Sequence, residues 1–472
     1  MTGEALGEAR SPPASHAFGD ARGPVGFPPA LYAWFVLTAL SLANTMSYVE
    51  RQILTLLFTP IKRDFRLTDT EVSLLAGAAF VLFYVGFGLI IGRLADRTNR
   101  KRIIMVGVVF WSLATTACGL AQNFAQLFIA RISVGVGEAT LGPSALSIIS
   151  DYFPRHRLAR AISIYTGAQF VGAGLALVVG GLALDLVSGL PPVSVPSVGV
   201  LRHWQMTFLL VGLGGLFVLL PLAFMKEPIR QGVTRRAAFG VGRSELVAFL
   251  ATNRRFFIAH FSGFAISSMV GFGTVAWIPT FFIRVHHWAP QSIGYVYGLM
   301  LAVLGGAGVL AGARLAELME RRGVIDAYLR LPMISMCATS AFLIAALFAP
   351  NPTAAVVLLG VSTFLSSFPV ALIISALQIV TPNQLRGQVI SIYYFIANVL
   401  GVASGPTVIA VLTDYLYRDE RAVGFSLATV SGVITPIVII ILAFGLRGYR
   451  ESLAQATALH SLALNIEVGP SP

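Results

Sequence analysis

The chain has 472 residues, of which 56% are apolar and only 11% are Asp, Glu, Lys or Arg, and its mean hydropathy is +0.79. This composition excludes a soluble globular domain and indicates an integral membrane protein. The formal charge of +12 would suit a nucleic-acid partner. We expect no nucleic-acid partner, because the sequence has no stripe of basic and aromatic residues of the kind that binds a nucleic-acid groove.

Twelve apolar runs follow one another along the chain, each long enough to cross a hydrocarbon core of about 30 Å as a helix. They are continuous, unlike the ten-residue alternating segments of a barrel. The predicted helices, one to twelve, cover residues 31–58, 72–93, 103–121, 124–152, 159–187, 204–225, 256–283, 291–315, 329–349, 353–380, 387–413 and 422–446. The predicted fold class is therefore all-α and integral to the membrane.

The connections divide this chain into five predicted parts. Residues 1–30, rich in proline and glycine, are expected to be disordered, and they lack the pattern of a cleavable signal. The longer, basic connection 226–255 separates a six-helix bundle, 31–225, from a second one, 256–446. Residues 447–472 form the remaining tail. We expect a monomer.

Basic residues are distributed unevenly between the two ends of the predicted helices. The tails and the even-numbered connections carry 24 of the 33 Lys and Arg, the odd-numbered connections carry seven, and two lie within helices. Basic residues favour the cytoplasmic side, so both termini are predicted to be cytoplasmic. With a bacterial origin, the expected location is the inner membrane.

An internal repeat supports the division into two halves. Gly92-Arg-Leu-Ala-Asp-Arg-Thr-Asn-Arg-Lys-Arg102, after the second helix, is similar to residues 313–323 after the eighth. Pro154 followed by Ile162-Ser-Ile-Tyr165 recurs as Pro382 followed by Ile390-Ser-Ile-Tyr393. Parallel repeats of this kind predict a site between the halves that opens alternately to each side.

The loop after the second helix resembles the signature of the major facilitator superfamily. The match includes Gly92, Asp96, Arg97 and Arg100, and Asn99 replaces the second glycine of the family pattern. The resemblance implies twelve helices in two bundles and a conformational role for these residues. We expect Gly92 to allow close helix packing and Asp96 to lie near a helix N-terminus or a partner arginine.

The fourth helix extends the resemblance. Arg131-Ile-Ser-Val-Gly-Val-Gly-Glu-Ala139 is similar to a second motif of that superfamily, with Glu138 added after its second glycine. That acid, the acid–arginine pair of the first helix and the run 143–154 together resemble the Spinster family of lipid transporters, in a bacterial member. The family usually has Asp where this chain has Glu50.

Four ionisable residues lie deep within the predicted helices, all in the first half: Glu50, Arg51, Arg131 and Glu138. Charged side chains in a membrane face a cavity or one another, so each is a functional candidate. Glu50 and Arg51 differ by about 100° around their helix, which argues against a simple mutual salt bridge. We expect an arginine of one helix to hold a carboxylate across the cavity.

These residues have predicted roles. Glu50 and Glu138 are the candidate proton-coupling carboxylates, and Arg51 and Arg131 are candidates for substrate binding or charge relay, because Arg stays protonated. The alternative is a static network that holds the first and fourth helices together. Asp151 and Arg157, at the end of the fourth helix and the start of the fifth, are predicted to make gating contacts.

The second half presents a different wall to the cavity. The seventh, eighth, tenth and eleventh helices contain no deep acid or base. Their polar groups are scattered: Ser267, Ser268, Ser366, Ser367, Gln378, Tyr393, Tyr394 and Asn398. One charged and one apolar wall suit an amphiphile, although apolar helices also serve simply to contact lipid. Glycines at 167–181 and 401–405 would provide close, slidable helix contacts.

No constellation in the sequence predicts a catalytic, metal or cofactor site. Cys118 and Cys337 are expected to be packing residues, and neither His260 nor the pair His286–His287 is expected to bind metal. We therefore predict not an enzyme but a proton-coupled transporter of lysolipid-like or sphingoid amphiphiles, driven by a proton gradient without a cofactor. The alternatives are an organic-anion symporter, a drug exporter, or an uncoupled scramblase or receptor.

Overall fold

The computed structural model describes residues 28–95, 97–191, 193–196, 199–230, 243–382 and 384–467. Twelve helices within these ranges are long and apolar enough to span a membrane. The first six are α1 (Ala30–Leu56), α2 (Asp69–Ala95), α3 (Arg100–Cys118), α4 (Phe124–Tyr152), α5 (Arg155–Ser188) and α6 (His203–Phe224). The other six are α7 (Arg254–Val285), α8 (Pro290–Arg321), α9 (Ala327–Leu347), α10 (Pro352–Val380), α11 (Arg386–Tyr417) and α12 (Val423–Glu467).

The prediction of twelve membrane helices in two six-helix bundles is confirmed. The N-terminal half comprises α1–α6 and the C-terminal half comprises α7–α12. Helix α12 continues to Glu467 and not to residue 446, because Arg447, Arg450 and Glu451 lower the hydropathy without breaking the helix. The N-terminal prediction for residues 1–27 and the central part of the linker, 231–242, lie outside the described residues.

Short elements complete the chain. The helices Phe58–Phe65 and Arg243–Thr252 precede α2 and α7. Strands β1 (Ser194–Val195) and β2 (Gly199–Val200) form an antiparallel hairpin between α5 and α6. Helix α2 begins with a capping box, in which Thr68 accepts from the backbone N–H of Glu71 and the Glu71 carboxylate accepts from that of Thr68.

The two ends of the bundle are called here the basic face, which carries the even-numbered connections, and the opposite face, which carries the odd-numbered ones. Contact between the halves is concentrated toward the opposite face, where α2 packs on α11 and α5 packs on α8. A Cβ at Gly174 would lie 2.5 Å from the Gly298 carbonyl oxygen, and one at Gly77 would lie 2.5 Å from that of Ala403. The halves therefore meet closely there and diverge toward the basic face.

Several spanning helices lose regular α geometry, α1 in its last turn and the others within the span. Helix α1 becomes a 3₁₀ helix at Ile53–Leu56, and α4 is interrupted between Glu138 and Leu141. Helices α8 and α11 contain π-helical turns at Met300–Gly305 and Asn398–Val402. Such irregular turns recur at functional sites because they free backbone groups and redirect side chains.

Candidate functional site

The glycines of the α4 motif bring three helices together around the buried charges. A Cβ at Gly135 would lie 2.6 Å from the Phe80 carbonyl oxygen of α2, and one at Gly137 would lie 2.7 Å from the Trp111 Cβ of α3. Only glycine permits this approach of the backbones. Glu138 follows at the point where α4 is interrupted, so its carboxylate projects into the space next to α1.

Arg51 and Glu138 form an ion pair between α1 and α4. The Arg51 Nη2 donates to Glu138 Oε2 at 2.5 Å, and the Ser47 hydroxyl donates to the same oxygen at 2.6 Å. The Glu138 side chain is fully buried, whereas that of Arg51 is 15% exposed. Glu138 Oε1 has no hydrogen-bond partner. An arginine of one helix thus holds a carboxylate of another, and the pair is compatible both with a role at the cavity and with a static network between α1 and α4.

Three aromatic rings surround the Arg51 guanidinium. Its Cζ lies 4.0 Å from the Phe80 ring centroid, 4.8 Å from that of Tyr48 and 5.4 Å from that of Tyr84. Each distance is within the range of a cation–π contact. The rings fix the side chain while its exposed fraction faces the space between the halves, where Tyr394 of α11 lies near Tyr48.

Glu50 points away from Arg51, into the interior of the N-terminal half. Its Oε1 accepts a hydrogen bond from the Ser112 hydroxyl of α3 at 2.9 Å, and its Oε2 has no partner. A Cβ at Gly215 of α6 would lie 2.0 Å from Glu50 Oε1. The Trp111 indole and the Thr115 hydroxyl interact with this carboxyl, although within the described residues neither reaches the geometry of a regular hydrogen bond. The carboxyl is fully buried, and among the described residues it forms no salt bridge, although the Arg131 guanidinium interacts with it electrostatically.

Arg131 is fully buried, and in the part of the chain that the structure describes it forms no salt bridge with a carboxylate. Its guanidinium donates to the carbonyl oxygens of Leu75 at 3.3 Å, Glu50 at 3.4 Å and Arg51 at 3.4 Å. These bonds connect α4 to α2 and to α1 just before its 3₁₀ turn. In this conformation Arg131 therefore fixes the backbone that carries Glu50 and Arg51, and a role in substrate binding stays a prediction.

The motif residues at the basic face form a second cluster within the N-terminal half. Arg100 donates to Asp151 at 2.5 Å, to the Ser147 hydroxyl at 2.7 Å and to Glu227 at 2.8 Å. The cluster joins α3, α4 and the start of the linker. Arg97 and Arg157 are exposed. Asp96 and the side chain of Arg155 lie outside the described residues.

Glycine contacts correct one prediction and support another. A Cβ at Gly92 would meet no atom of the described residues within 4 Å, so the expectation that Gly92 permits close helix packing is wrong for the described part of this conformation. A Cβ at Gly167 would likewise meet no described atom within 4 Å. By contrast, Gly174 and Gly181 lie against α8, and Gly401 and Gly405 lie against α7. Those contacts match the predicted close approach of helices.

An ion-pair network at the opposite face joins the halves, and the sequence reasoning missed it. Asp69, at the start of α2, accepts from Arg284 of α7 at 2.6 and 2.7 Å and from Lys62 at 2.7 Å. Asp414 of α11 accepts from the backbone and hydroxyl of Thr70, both at 2.7 Å. Asp69 and Arg284 are buried. Both fall just outside the predicted helices 72–93 and 256–283, although each stands beside an apolar run.

The C-terminal half presents hydroxyl groups that bond within their own helices. Ser268 donates to the Phe264 carbonyl oxygen and Ser367 to that of Thr363. His260 is buried, with its Nε2 3.0 Å from the Ile373 carbonyl oxygen and its Nδ1 unpartnered. Cys118 is buried as predicted, but Cys337 is exposed on the surface of α9, so it is not a core residue.

In the part of the chain that the structure describes, no three His, Cys, Asp or Glu residues group as metal ligands would. The site therefore consists of an ion pair in an aromatic surround, an isolated carboxyl behind it, and a network that closes one end. Such an arrangement can exchange protons and charge partners. It has no arrangement of nucleophile, base and orienting group.

Comparisons with known proteins agree with this arrangement. Residues 40–406 match the model of the major facilitator superfamily. The chain is 27% identical over 394 residues to an MFS-type efflux pump of Mycolicibacterium smegmatis, covering 83% of this chain and 86% of that one. It is 27% identical to protein spinster homolog 1 of Xenopus laevis, with 82% and 74% covered, and 25% identical to a hexuronate transporter of Bacillus subtilis, with 85% and 95% covered.

Solved structures show the same fold. A bacterial homologue of the human lysosomal transporter Spinster, inward-facing and unoccupied, superimposes with a TM-score of 0.74 at 24% identity, covering 91% of this chain and 99% of that one. An inward-facing, occupied form gives 0.70 at 25% identity, with 94% and 100% covered. The chain belongs to the major facilitator superfamily of transporters and resembles the Spinster proteins.

Proposed function

We propose that the protein is a proton-coupled secondary transporter of amphiphilic lipids, lysophospholipid or sphingoid in type, that works by alternating access. The observation that carries this proposal is the Arg51–Glu138 ion pair. It stands in the N-terminal half beside the space between the halves, and the C-terminal half places hydroxyl and aromatic groups among apolar side chains there.

The proton-coupling step follows from the two carboxyl groups. Protonation of Glu138 weakens its hold on Arg51, because the neutral acid no longer attracts the guanidinium electrostatically. Arg51 keeps its charge and is then free for an anionic headgroup. Among the described residues Glu50 forms no salt bridge and has one unpartnered oxygen, so a charge there would be costly in this buried position. We assign Glu50 to the proton-carrying form in the present conformation.

The substrate class is supported by the asymmetry of the walls. A guanidinium with a buried carboxylate suits a phosphate or zwitterionic head, and an apolar wall suits an acyl chain. A Spinster transporter is among the structural relatives at 25% identity. The relatives also include an efflux pump and a hexuronate transporter, so an organic-anion symporter or a drug/proton antiporter is the second candidate.

Other features of the proposal follow the distribution of charge. The basic face is assigned to the cytoplasm, which places both termini inside a bacterial inner membrane and makes the present conformation inward-facing. We further propose a monomer without a cofactor or metal, with protons, the amphiphile and membrane lipid as its partners. An uncoupled scramblase or a receptor is the alternative from another class.

Proteoliposomes with an imposed pH gradient test the proposal. Labelled lysophospholipid should redistribute faster with the gradient for the wild type, and Glu50→Gln combined with Glu138→Gln should abolish this acceleration. Equal redistribution by both proteins, with or without the gradient, indicates a scramblase and contradicts the coupling. Transport of hexuronate without transport of lysophospholipid contradicts the lipid assignment.

The role of Arg131 is tested in the same assay. Arg131→Lys keeps the charge but removes the fork that reaches three carbonyl oxygens. If Arg131 positions α1, the variant lowers stability and transport together, with unchanged substrate affinity. A selective loss of affinity would instead place Arg131 at the substrate.

A further inference from the structure

A polar cleft opens at the basic face of the C-terminal half, far in the chain from the charge pair. It has a volume of about 350 Å³ and lies between the start of α7 and the part of α12 beyond Leu446. Asn253 and Ser452 form a buried part of its wall, where the Ser452 hydroxyl donates to the Asn253 side-chain oxygen at 2.6 Å. A Cβ at Gly448 would lie 2.9 Å from the Phe256 nitrogen, so glycine sets the close approach of the two helices.

Positive charge predominates in this cleft. Arg254 and Arg255 line it, both are exposed, and within the described ranges neither has a carboxylate at salt-bridge distance. The acidic lining residue, Glu451, already accepts from Arg447 at 2.9 Å. Two guanidinium groups thus stand at one cavity without a counter-ion among the residues that the structure describes. Guanidinium groups bind phosphate oxygens with paired hydrogen bonds.

The cleft lies at the depth of lipid headgroups. Arg254 is the first residue of one membrane-spanning helix, and the other spanning segment ends at Ala456. One helical turn further into the membrane, each helix presents an apolar residue below the cleft. Ile258 lies four residues after Arg254, and Phe444 lies four residues before Gly448. Residues four apart share a helix face, so both continue the face that borders the cleft. Ile258 is 67% exposed and Phe444 is 79% exposed. An acyl chain can therefore extend along apolar surface directly below the arginines.

We propose that this cleft binds the phosphate of an anionic phospholipid from the surrounding leaflet, with Arg254 and Arg255 on the headgroup and Ile258 and Phe444 along the chains. The site is separate from the transport site, and it does not depend on which substrate is carried. An anionic lipid is favoured over a zwitterionic one because the unpartnered charge of the cleft is positive.

Delipidated full-length protein in neutral detergent provides the test. Phosphatidylglycerol should raise the unfolding temperature and remain bound in native mass spectrometry, and phosphatidylcholine should do neither. Arg254→Gln with Arg255→Gln should weaken phosphatidylglycerol binding roughly 20- to 30-fold, since each arginine near a lipid surface contributes about a fivefold factor. The matched control is Arg321→Gln with Arg322→Gln, which removes two exposed charges from the same face and half.

Each result decides the matter. Loss of binding in the Arg254/Arg255 variant and its retention in the control support the site. Equal weakening in both variants shows general surface charge and overturns it. An equal shift of the unfolding temperature by inorganic phosphate at millimolar concentration identifies a free-anion site and overturns the lipid. If the double variant fails to fold, Ile258→Ser with Phe444→Ser is used, and unchanged phosphatidylglycerol affinity in that variant overturns the lipid.

Discussion

Helices α4 and α10 occupy corresponding places in the two halves and differ in one chemical respect. Each spans 29 residues, and in each the first α-helical segment is 15 residues long, Phe124–Glu138 and Pro352–Ser366. Both are then interrupted. The last residue of that segment is a glutamate in α4 and a serine in α10, and Arg131, seven residues earlier, has Leu359 as its counterpart.

The two helices share their interruption but not their charged side chains. The interruption occurs in both halves, so it belongs to the repeated fold. At these two corresponding positions α4 carries buried charges and α10 does not, so the charges are not part of the repeated architecture. Ser366 bonds to the Thr363 carbonyl oxygen of its own helix at 2.8 Å, whereas Glu138 bonds to a different helix. One half supplies charge and the other an apolar surface.

The largest expected effect comes from Glu138→Gln, which removes this difference between the halves. Arg51 then keeps its charge in a mostly dry site without a carboxylate, and unpairing a buried ion pair costs about 3–5 kcal/mol. We expect that loss in the free energy of unfolding, together with loss of gradient-driven transport. Ser366→Ala is the matched control in α10, and it should change the free energy by about 1 kcal/mol or less.

A double-mutant cycle completes this test. Arg51→Gln with Glu138→Gln removes both charges and should recover part of the lost stability but not the transport. If each single variant is as stable as the wild type, the ion pair does not hold α1 to α4, and the contrast between α4 and α10 has no energetic basis.

The second prediction concerns the contact between the halves at the opposite face. Asp69→Asn leaves Arg284 and Lys62 without their shared carboxylate. Because this network joins the halves only when that face is closed, its loss should shift the population toward the state open there. A loss of about 2–3 kcal/mol corresponds to roughly a 30- to 150-fold change in the ratio of states.

Distances between spin labels on the two halves at the opposite face measure this shift. Arg63→Gln is the control, because Arg63 is an exposed cation on the short helix that carries Lys62. An unchanged distance distribution in Asp69→Asn would show that the packing of α2 on α11 and of α5 on α8 closes the face without the ion pairs.

The third prediction tests the position of Glu50 within the N-terminal half. Gly215→Ala would place a methyl group 2.0 Å from Glu50 Oε1, closer than any real contact, so Glu50 or α6 must move. We expect a destabilisation of about 2 kcal/mol, as for other overpacked cores. Gly214→Ala is the matched control, since a Cβ there meets no atom within 4 Å, and this variant should be neutral or slightly stabilising.

Combining Gly215→Ala with Glu50→Ala should restore stability, because the smaller side chain leaves room for the methyl group. The unfolding of each variant in detergent gives these values. A full destabilisation that persists in the double variant would mean that Gly215 has another role, such as its contact with Ser112.

Hydropathy and charge distribution were enough to predict the twelve helices, since both follow from the thickness and the sidedness of the membrane. The pairing of an arginine of α1 with a carboxylate of α4 could also be predicted, because charged side chains buried in a membrane protein pair with one another. The direction in which the Glu50 side chain points could not be predicted. The 100° step between neighbours gives their relative angle but not the rotation of α1 in the bundle, which the packing against Gly215 and Ser112 determines.

The opposite-face network was beyond sequence reasoning for another reason. Asp69 and Arg284 are 215 residues apart and belong to different halves. Under the proposed alternating access, their pairing would depend on which side of the transporter is closed, and one sequence would encode both states. Gly92 illustrates the same point, because its surroundings are open in this conformation.

The smallest expected effect concerns the basic face, where the C-terminal half has its own carboxylate. Asp326, just before α9, accepts from Arg450 at 2.5 Å and forms an ion pair with Arg330 at 3.1 Å. Burial alone would raise the pKa of Asp326, but the hydrogen bonds and charges of Arg450 and Arg330 outweigh it and hold the pKa below its ordinary value. Because both arginines are about half exposed, we expect a contribution of only about 1 kcal/mol.

The sign of the pH dependence follows from that lowered pKa. The ionised, paired form stabilises the fold above the ordinary carboxyl pKa, and this contribution disappears as the pH falls toward the lower folded-state value. The difference in unfolding free energy between the wild type and Asp326→Asn should therefore be constant near neutral pH and shrink below about pH 4. Glu317→Gln, which removes an exposed pair with Arg314, should show little difference at any pH. A wild-type advantage over Asp326→Asn that is unchanged at pH 3 would place its origin in packing and not in the charge of Asp326.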